Sequence, residues 1–393
     1  MLVLGDVRTL LHRTVELLNG KSIPAYESPE RILSIIQALA ADGTHEYVDV
    51  GAHLRGNGSL NNSNAGQAST FVAETHDPGY LHYLQSVHKE WVSLGLINQD
   101  EVVLPECFRL PSMALKGREP SEPRDPSARS GYYSFDMSAG LSTHSWTSIM
   151  ASAELAAEAV RSLFISTTSA LPRKNVLALC RPPGHHCTTR MAGGYCYLNN
   201  AVVAVQALRH FHRQSTGDTQ PKIVILDIDF HHGNGTQDYF YHDPSVVYVS
   251  IHGEDQYPYY TGDPEEEGAG DGEGTNWNIP LPLGASADEY IDKLSDVMQI
   301  LEDAQPGYLI LSLGFDTYHG DPLGYFGIRT EDYERIARVI RGHPAVENVP
   351  AILLLEGGYV VEDLGQNMLS FLRGWEDLGE PQPVWDPMQT WGE

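Results

Sequence analysis

The sequence predicts an α/β protein: one domain on a doubly wound parallel sheet flanked by helices, with its active site at the C-terminal ends of the strands. Two observations carry that prediction. Short, wholly apolar runs recur along the chain, and segments of helical apolar spacing separate them. Such runs suit strands buried on both faces, and strands joined through helices give βαβ crossovers. Taken in order, ERILSIIQALAADG from Glu30 to Gly43 has helical spacing and closes on a glycine. TSIMASAELAAEAVRSLF from Thr147 to Phe164 is alanine-rich and long enough for several turns. The strand runs are VLALC ending at Cys180, KIVILDID from Lys222, VVYVSI from Val246, YLILSL from Tyr308 and AILLLEGG from Ala351.

Three stretches read as long loops: His53 to Thr70, rich in Gly, Asn and Ser; Lys116 to Arg129, with proline amid alternating charges; and the acidic, flexible Gly262 to Gly274. None divides the chain into independent βαβ patterns, so residues 1–393 are read as a single catalytic domain with its core at 27–375.

Charge narrows the function. Lys and Arg number 25 against 52 Asp and Glu, a formal net charge of −27, which argues against direct nucleic-acid binding and against an anionic membrane surface. No apolar run reaches the roughly 18 residues of a membrane span, and the N-terminus has no secretory leader, so the expectation is intracellular and cytoplasmic, with the nucleus open. Cys107, Cys180, Cys187 and Cys196 form no CxxC pair, which speaks against a disulfide scaffold or a thiolate zinc site. Histidine is more informative. Most, such as His12, His45, His88, His210 and His343, read as surface residues, but others sit in glycine-rich segments after strands.

Ligands in such sheets bind beyond the carboxyl ends of the strands, so the residues after each run nominate the site. Asp229 and His231, two apart in DIDFH, can aim at one ion, and Asp316 after YLILSLGF is the best third ligand for an open catalytic zinc. A lone DxH would more simply be a strand-end cap with a loop histidine; three strand ends delivering acid, acid and imidazole reverse that balance. His185 and His186 in RPPGHH can divide base and acid roles, with Asp227 and Asn234 behind them to set tautomer and pKa. Tyr359 in EGGY can donate to an oxyanion. Metal, activated water, paired histidines and an oxyanion donor specify hydrolysis of a carbonyl bond without a covalent intermediate. No GxSxG elbow or Walker lysine competes.

At these residues the sequence resembles the zinc-dependent deacetylase superfamily of histone deacetylases and acetylpolyamine amidohydrolases. The matching blocks are RPPGHH (Arg181 to His186), GGYCYLNN (Gly193 to Asn200), DIDFHHGNGTQ (Asp227 to Gln237), GFDT (Gly314 to Thr317) and EGGY (Glu356 to Tyr359). The resemblance implies an arginase/deacetylase-like fold, one Zn2+ per chain on Asp229, His231 and Asp316, the pair His185 and His186, and the donor Tyr359. Asp227 would then orient His185 and Asn234 would orient His186. It also implies K+ at Asp227, Asp229, His231, Ser250 and Ile251, and a substrate tunnel walled by Gly194, Tyr195 and Tyr259. THDPGYLHYLQSVHKEWV, GFDTYHGDPLGYF and LEGGYVVEDLGQNMLSFLRG place it nearest the acetylpolyamine branch, in which homodimers are typical.

One departure stands out. That branch uses an acidic gate residue, and gap-free counting from Gly131 puts Ser138 there, with Asp136 nearby; the acidic Glu265 to Glu267 is an alternative attractor of polycations. The expected substrate is a small cationic acetylated amine, most simply an acetylpolyamine. An acetyl-lysine peptide is the nearest alternative. A two-manganese ureohydrolase would need a second set of carboxylates, but Gly233 follows His232 and Tyr318 stands two after Asp316, so only one site is complete. A non-catalytic acyl-amine binding module would predict erosion of a ligand or of the tyrosine, and neither is seen.

Overall fold

The structure, a computed structural model, describes all residues except 19, 52–62, 110–120, 165–173 and 377–393, and only the backbone of 63–66. The strands are β1 (Leu2–Gly5), β2 (Val15–Leu18), β3 (Lys21–Pro24), β4 (Glu46–Asp49), β5 (Asn175–Ala178), β6 (Ile223–Asp227), β7 (Val246–Gly253), β8 (Asn276–Leu281), β9 (Tyr308–Leu313) and β10 (Ala351–Leu355). Eight form one sheet in the order β4-β1-β5-β10-β9-β6-β7-β8, and every neighbouring pair is parallel. The antiparallel hairpin β2–β3 stands apart.

Alternation along the strands builds two cores. Val176, Ala178, Ile223, Ile225, Ile352 and Leu354 face one layer with the helices Ser145–Phe164 and Asn200–Thr216. Leu177, Val224, Leu226, Leu309, Leu311 and Leu353 face the other, against the helices Pro29–Asp42, Ala287–Ala304, Thr330–Arg341 and Val361–Glu376. Full burial on both faces is why these strands read as unbroken apolar runs. The helix from Pro29 starts with proline in its first turn and ends at Gly43, whose φ of 68° lets its N–H close on Leu39 O at 2.9 Å. All the polar clusters named above then leave the sheet on one side.

Several expectations are corrected. Of the first loop, residues 53–62 lie outside the described residues, and Ser63–Thr75 is a helix that buries Phe71 and Val72. Of the second, 116–120 lie outside them, and Pro126–Tyr132 is a helix capped by Asp125. The acidic stretch 262–274 is fastened, because Glu266 accepts from Gln237 Nε2 at 2.6 Å and from Gly262 N at 2.8 Å. His12 and His88 are buried, not superficial, and His45, His210 and His343 are half-buried. Among the described residues, no helix is long and apolar enough to cross a membrane.

Candidate active site

β6 ends at Asp227, and the chain then turns tightly: Asp229 N donates to Asp227 Oδ1 at 3.2 Å and His231 N to Asp229 Oδ1 at 2.9 Å. Asp316 follows β9 and accepts Phe230 N at 2.9 Å. One ligand atom each from Asp229, His231 and Asp316 lies within 4.8 Å of the others, and all three residues are buried. The shared point is visible in the contacts of His231 Nδ1, 2.8 Å from Asp316 Oδ2 and 3.3 Å from Asp229 Oδ1. Glycines allow the approach, since a Cβ at Gly314 would strike Asp229 and one at Gly357 would strike Asp316.

The electrostatics of this cluster ask for positive charge. Burial and the neighbouring Asp229 push Asp316 up to about 7. Burial opposes the charge on His231, yet hydrogen bonds to Asp229 and Asp316 push it up to about 10. Two carboxylates and an imidazole, buried and converging, are a donor set that fits a divalent ion of the zinc type.

The paired histidines follow β5. Glu356, at the end of β10, grips their loop by accepting Gly184 N at 2.7 Å and His185 N at 3.3 Å, and takes Ser312 Oγ at 3.2 Å. The two rings lie 4.0 Å apart, with His185 Nδ1 3.1 Å from Asp227 Oδ2 and His186 Nδ1 2.8 Å from Asn234 Oδ1. Their surroundings separate them. Burial disfavours charge on both, but Asp229, Asp227 and Glu356 push His185 up to about 10, whereas burial with His185 and His231 alongside drives His186 well below its ordinary value. His186 is thus neutral at pH 7; with Nδ1–H donated to Asn234, its Nε2 carries the lone pair.

Tyr359 comes from the loop after β10. Gly358, at φ 114°, turns the chain, and Tyr359 N donates to Asp321 Oδ2 at 2.7 Å. The ring lies 5.7 Å from that of Tyr195 and under the Arg31 guanidinium at 5.0 Å. Burial first, then Asp316, raises the phenol well above its usual value, so the hydroxyl keeps its proton.

Arg31 escaped the sequence reading, because an arginine in SPERILSII looks like a solvated helix residue. It is fully buried, donates Nε to Gly358 O at 2.6 Å and Nη2 to Glu356 O, and pairs with Glu27 Oε1 at 2.9 Å. Arg31→Met is expected to cost about 3 kcal/mol in denaturant unfolding, from two orphaned carbonyls at roughly 1–3 kcal/mol each, and to lower kcat more than it raises KM.

A cavity of about 290 Å3 opens onto this cluster, walled by Glu16, His186, Tyr195, His231, Tyr257 and Tyr359. Gly194 also lines it, its Cα so close to the His186 ring that any Cβ would collide. Tyr195 is buried and donates to Glu16 Oε1 at 2.8 Å; Tyr259 lines the mouth and is 67% exposed, so the deep wall is Tyr257, whose ring stands 4.9 Å from that of His186. Glu16, from β2, and Tyr257 were not singled out in the sequence; both lie outside the strand-end blocks. No lysine or arginine lines the cavity among the described residues. Asp227 and Ser250 are register partners on β6 and β7, with Ile251 next along.

A family model described as the histone deacetylase domain matches residues 25–375. The chain belongs to that family. Acetylpolyamine amidohydrolase 1 of Pseudomonas aeruginosa is 35% identical over 383 residues, covering 95% of this chain and 98% of its own. The crystal structure of an acetylpolyamine aminohydrolase from Burkholderia pseudomallei superposes with a TM-score of 0.78 at 31% identity, covering 96% of this chain and 99% of that one. Histone deacetylase HDA1 of Saccharomyces cerevisiae is 35% identical over 225 residues, 54% of this chain and 31% of that protein. This member of the histone deacetylase domain family is a hydrolytic deacetylase.

Proposed function

We propose that the enzyme hydrolyses the acetyl amide of small acetylated amines that carry a second positive charge, acetylpolyamines foremost, and releases acetate. The observation that carries this reading is the cavity itself: it leads to the metal-type cluster and His186, and its charged lining outside that cluster is the carboxylates Glu16 and Asp136. Burial raises Glu16 above its usual range, a cost that an ammonium beside it would relieve.

Asp229, His231 and Asp316 would hold one zinc, which when bound supplies carbonyl polarisation and a water of lowered pKa. His186, neutral and fixed by Asn234, takes the proton of the attacking water at Nε2. His185 is held by Asp227, its Nδ1 3.1 Å from Oδ2, and a histidine of the pair delivers a proton to the leaving amine. Tyr359 donates its hydroxyl to the carbonyl oxygen as negative charge builds there. Potassium is proposed at Asp227, Asp229, His231, Ser250 and Ile251, where Ile251 has only its backbone oxygen to give. The four cysteines are free, which suits a reducing cytoplasm.

The test is a substrate panel on the zinc-loaded protein: N-acetylputrescine, its neutral analogue N-butylacetamide, and an acetyl-lysine peptide. kcat/KM should favour N-acetylputrescine, and Glu16→Gln should cut that advantage by about 10- to 100-fold, the worth of one charged hydrogen bond, while sparing the neutral analogue. A higher kcat/KM on the peptide would transfer the enzyme to the protein lysine deacetylases.

A further inference from the structure

Asp136 stands beside the position where a gate acid was expected, and it lines the cavity. Its oxygens are already engaged. Oδ2 accepts Tyr257 OH at 2.7 Å, Ser138 Oγ at 2.8 Å and Gly194 N at 3.0 Å, while Oδ1 accepts Ser138 N at 3.0 Å. A carboxylate has about four lone-pair directions, so three donors saturate Oδ2 and the remaining oxygen is turned to its own loop.

What these donors belong to gives the carboxylate its role. Gly194 and Tyr195 are consecutive residues in the left-handed region, with φ of 54° and 63°. Gly194 N reaches Asp136 directly, and Tyr195 N reaches it through Ser138 Oγ at 3.3 Å. For tyrosine the left-handed conformation is strained and needs outside support. Tyr257 approaches from the segment after β7; its ring packs edge-on to His186 and lies 5.9 Å from that of His231. Phe135, beside Asp136, stacks on Tyr257 at 6.4 Å, and Phe135 N donates to Ala192 O at 3.0 Å, so the 133–138 segment runs between the two walls.

We propose that Asp136 is a positioning residue that locks the two cavity walls, Gly194–Tyr195 and Tyr257, against His186, and that it does not bind the substrate's second ammonium. The inference rests on the amidohydrolase reading above. Serine at the gate position then has a function of its own: Ser138 relays the carboxylate to Tyr195 N, which a longer acid reaching into the cavity would not do.

The experiment compares zinc-loaded wild type, Asp136→Asn, Tyr257→Phe and the double variant on N-acetylputrescine and N-butylacetamide, with metal content and Tm recorded for each. Positioning predicts that Asp136→Asn lowers kcat/KM on both substrates by the same factor, on the order of 10- to 100-fold for misplaced walls, with kcat carrying most of the loss. Tyr257→Phe should reproduce part of that loss, and the double variant should be no worse than Asp136→Asn alone, because both remove one contact. A loss confined to the charged substrate would make Asp136 an ammonium ligand and overturn the proposal. So would multiplicative effects in the double variant, or unchanged kinetics in Asp136→Asn. If Asp136→Asn fails to fold, Tyr257→Phe still decides: equal loss on both substrates supports the lock, and no loss refutes it. Wild type inert toward both substrates would instead count against the amidohydrolase reading.

Discussion

Tyr359→Phe in the zinc-loaded protein is expected to lower kcat by about 100- to 1000-fold with metal content, Tm and KM nearly unchanged. The change removes one oxygen and leaves the ring contacts with Tyr195 and Arg31 in place. Backbone anchoring to Asp321 through Tyr359 N is equally untouched. What disappears is a protonated donor whose best acceptor forms only in the transition state, and such a loss falls on kcat. Steady-state kinetics beside metal analysis check this; turnover within a few-fold of wild type would remove Tyr359 from the mechanism.

Asp316→Ala is expected to abolish turnover and bound metal together. It deletes one of the three proposed ligands and orphans Phe230 N, which the carboxylate accepts at 2.9 Å. The same cluster sets a pH dependence. In the metal-free chain, folding raises Asp316 from 3.8 to about 7 and His231 from 6.5 to about 10. A raised folded pKa contributes stability that is complete below the unfolded value and is lost as pH rises through the folded one. For Asp316 that window runs from 3.8 to about 7, and for His231 from 6.5 to about 10. Asp229, held below its ordinary range by His185 and His231 in spite of burial, acts only in more acidic solution. A bound ion replaces those protons, so the rise in Tm on adding zinc should grow from about pH 6 to about pH 8 and should vanish in Asp316→Ala. Calorimetry with and without zinc measures it, and a pH-independent increment would contradict the assignment.

Physical setting decided what could be read from the residues. β5, β6, β7, β9 and β10 announce themselves because both faces are buried, and Asp229, His231, Asp316 and Tyr359 follow from standing just beyond such runs. β4 and β8 lie at the sheet edges, where EYVD and NWNIPL keep polar residues and lose the signal. β1, the four residues LVLG, is too short a run to stand out. Gly and Asn masked the helix from Ser63, which tertiary burial of Phe71 and Val72 rescues. Arg31, Glu16, Tyr257 and the ties of Asp136 were invisible for a different reason. They reach the site from a helix flank, a hairpin and left-handed turns, and no strand-end rule points there.

The strand order carries a consequence for how the chain is assembled during synthesis. Among the described residues β10 is the last strand in chain order, yet it lies in the middle of the sheet, between β5 and β9. A nascent chain that stops short of Ala351 holds two half-sheets, β4-β1-β5 and β9-β6-β7-β8, whose unpaired inner edges both await the same partner. Asp229, His231 and Asp316 belong wholly to the second half, whereas His185 and His186 hang from the first. β10, which brings Glu356 and Tyr359 with it, is therefore the element that joins the two halves of the site.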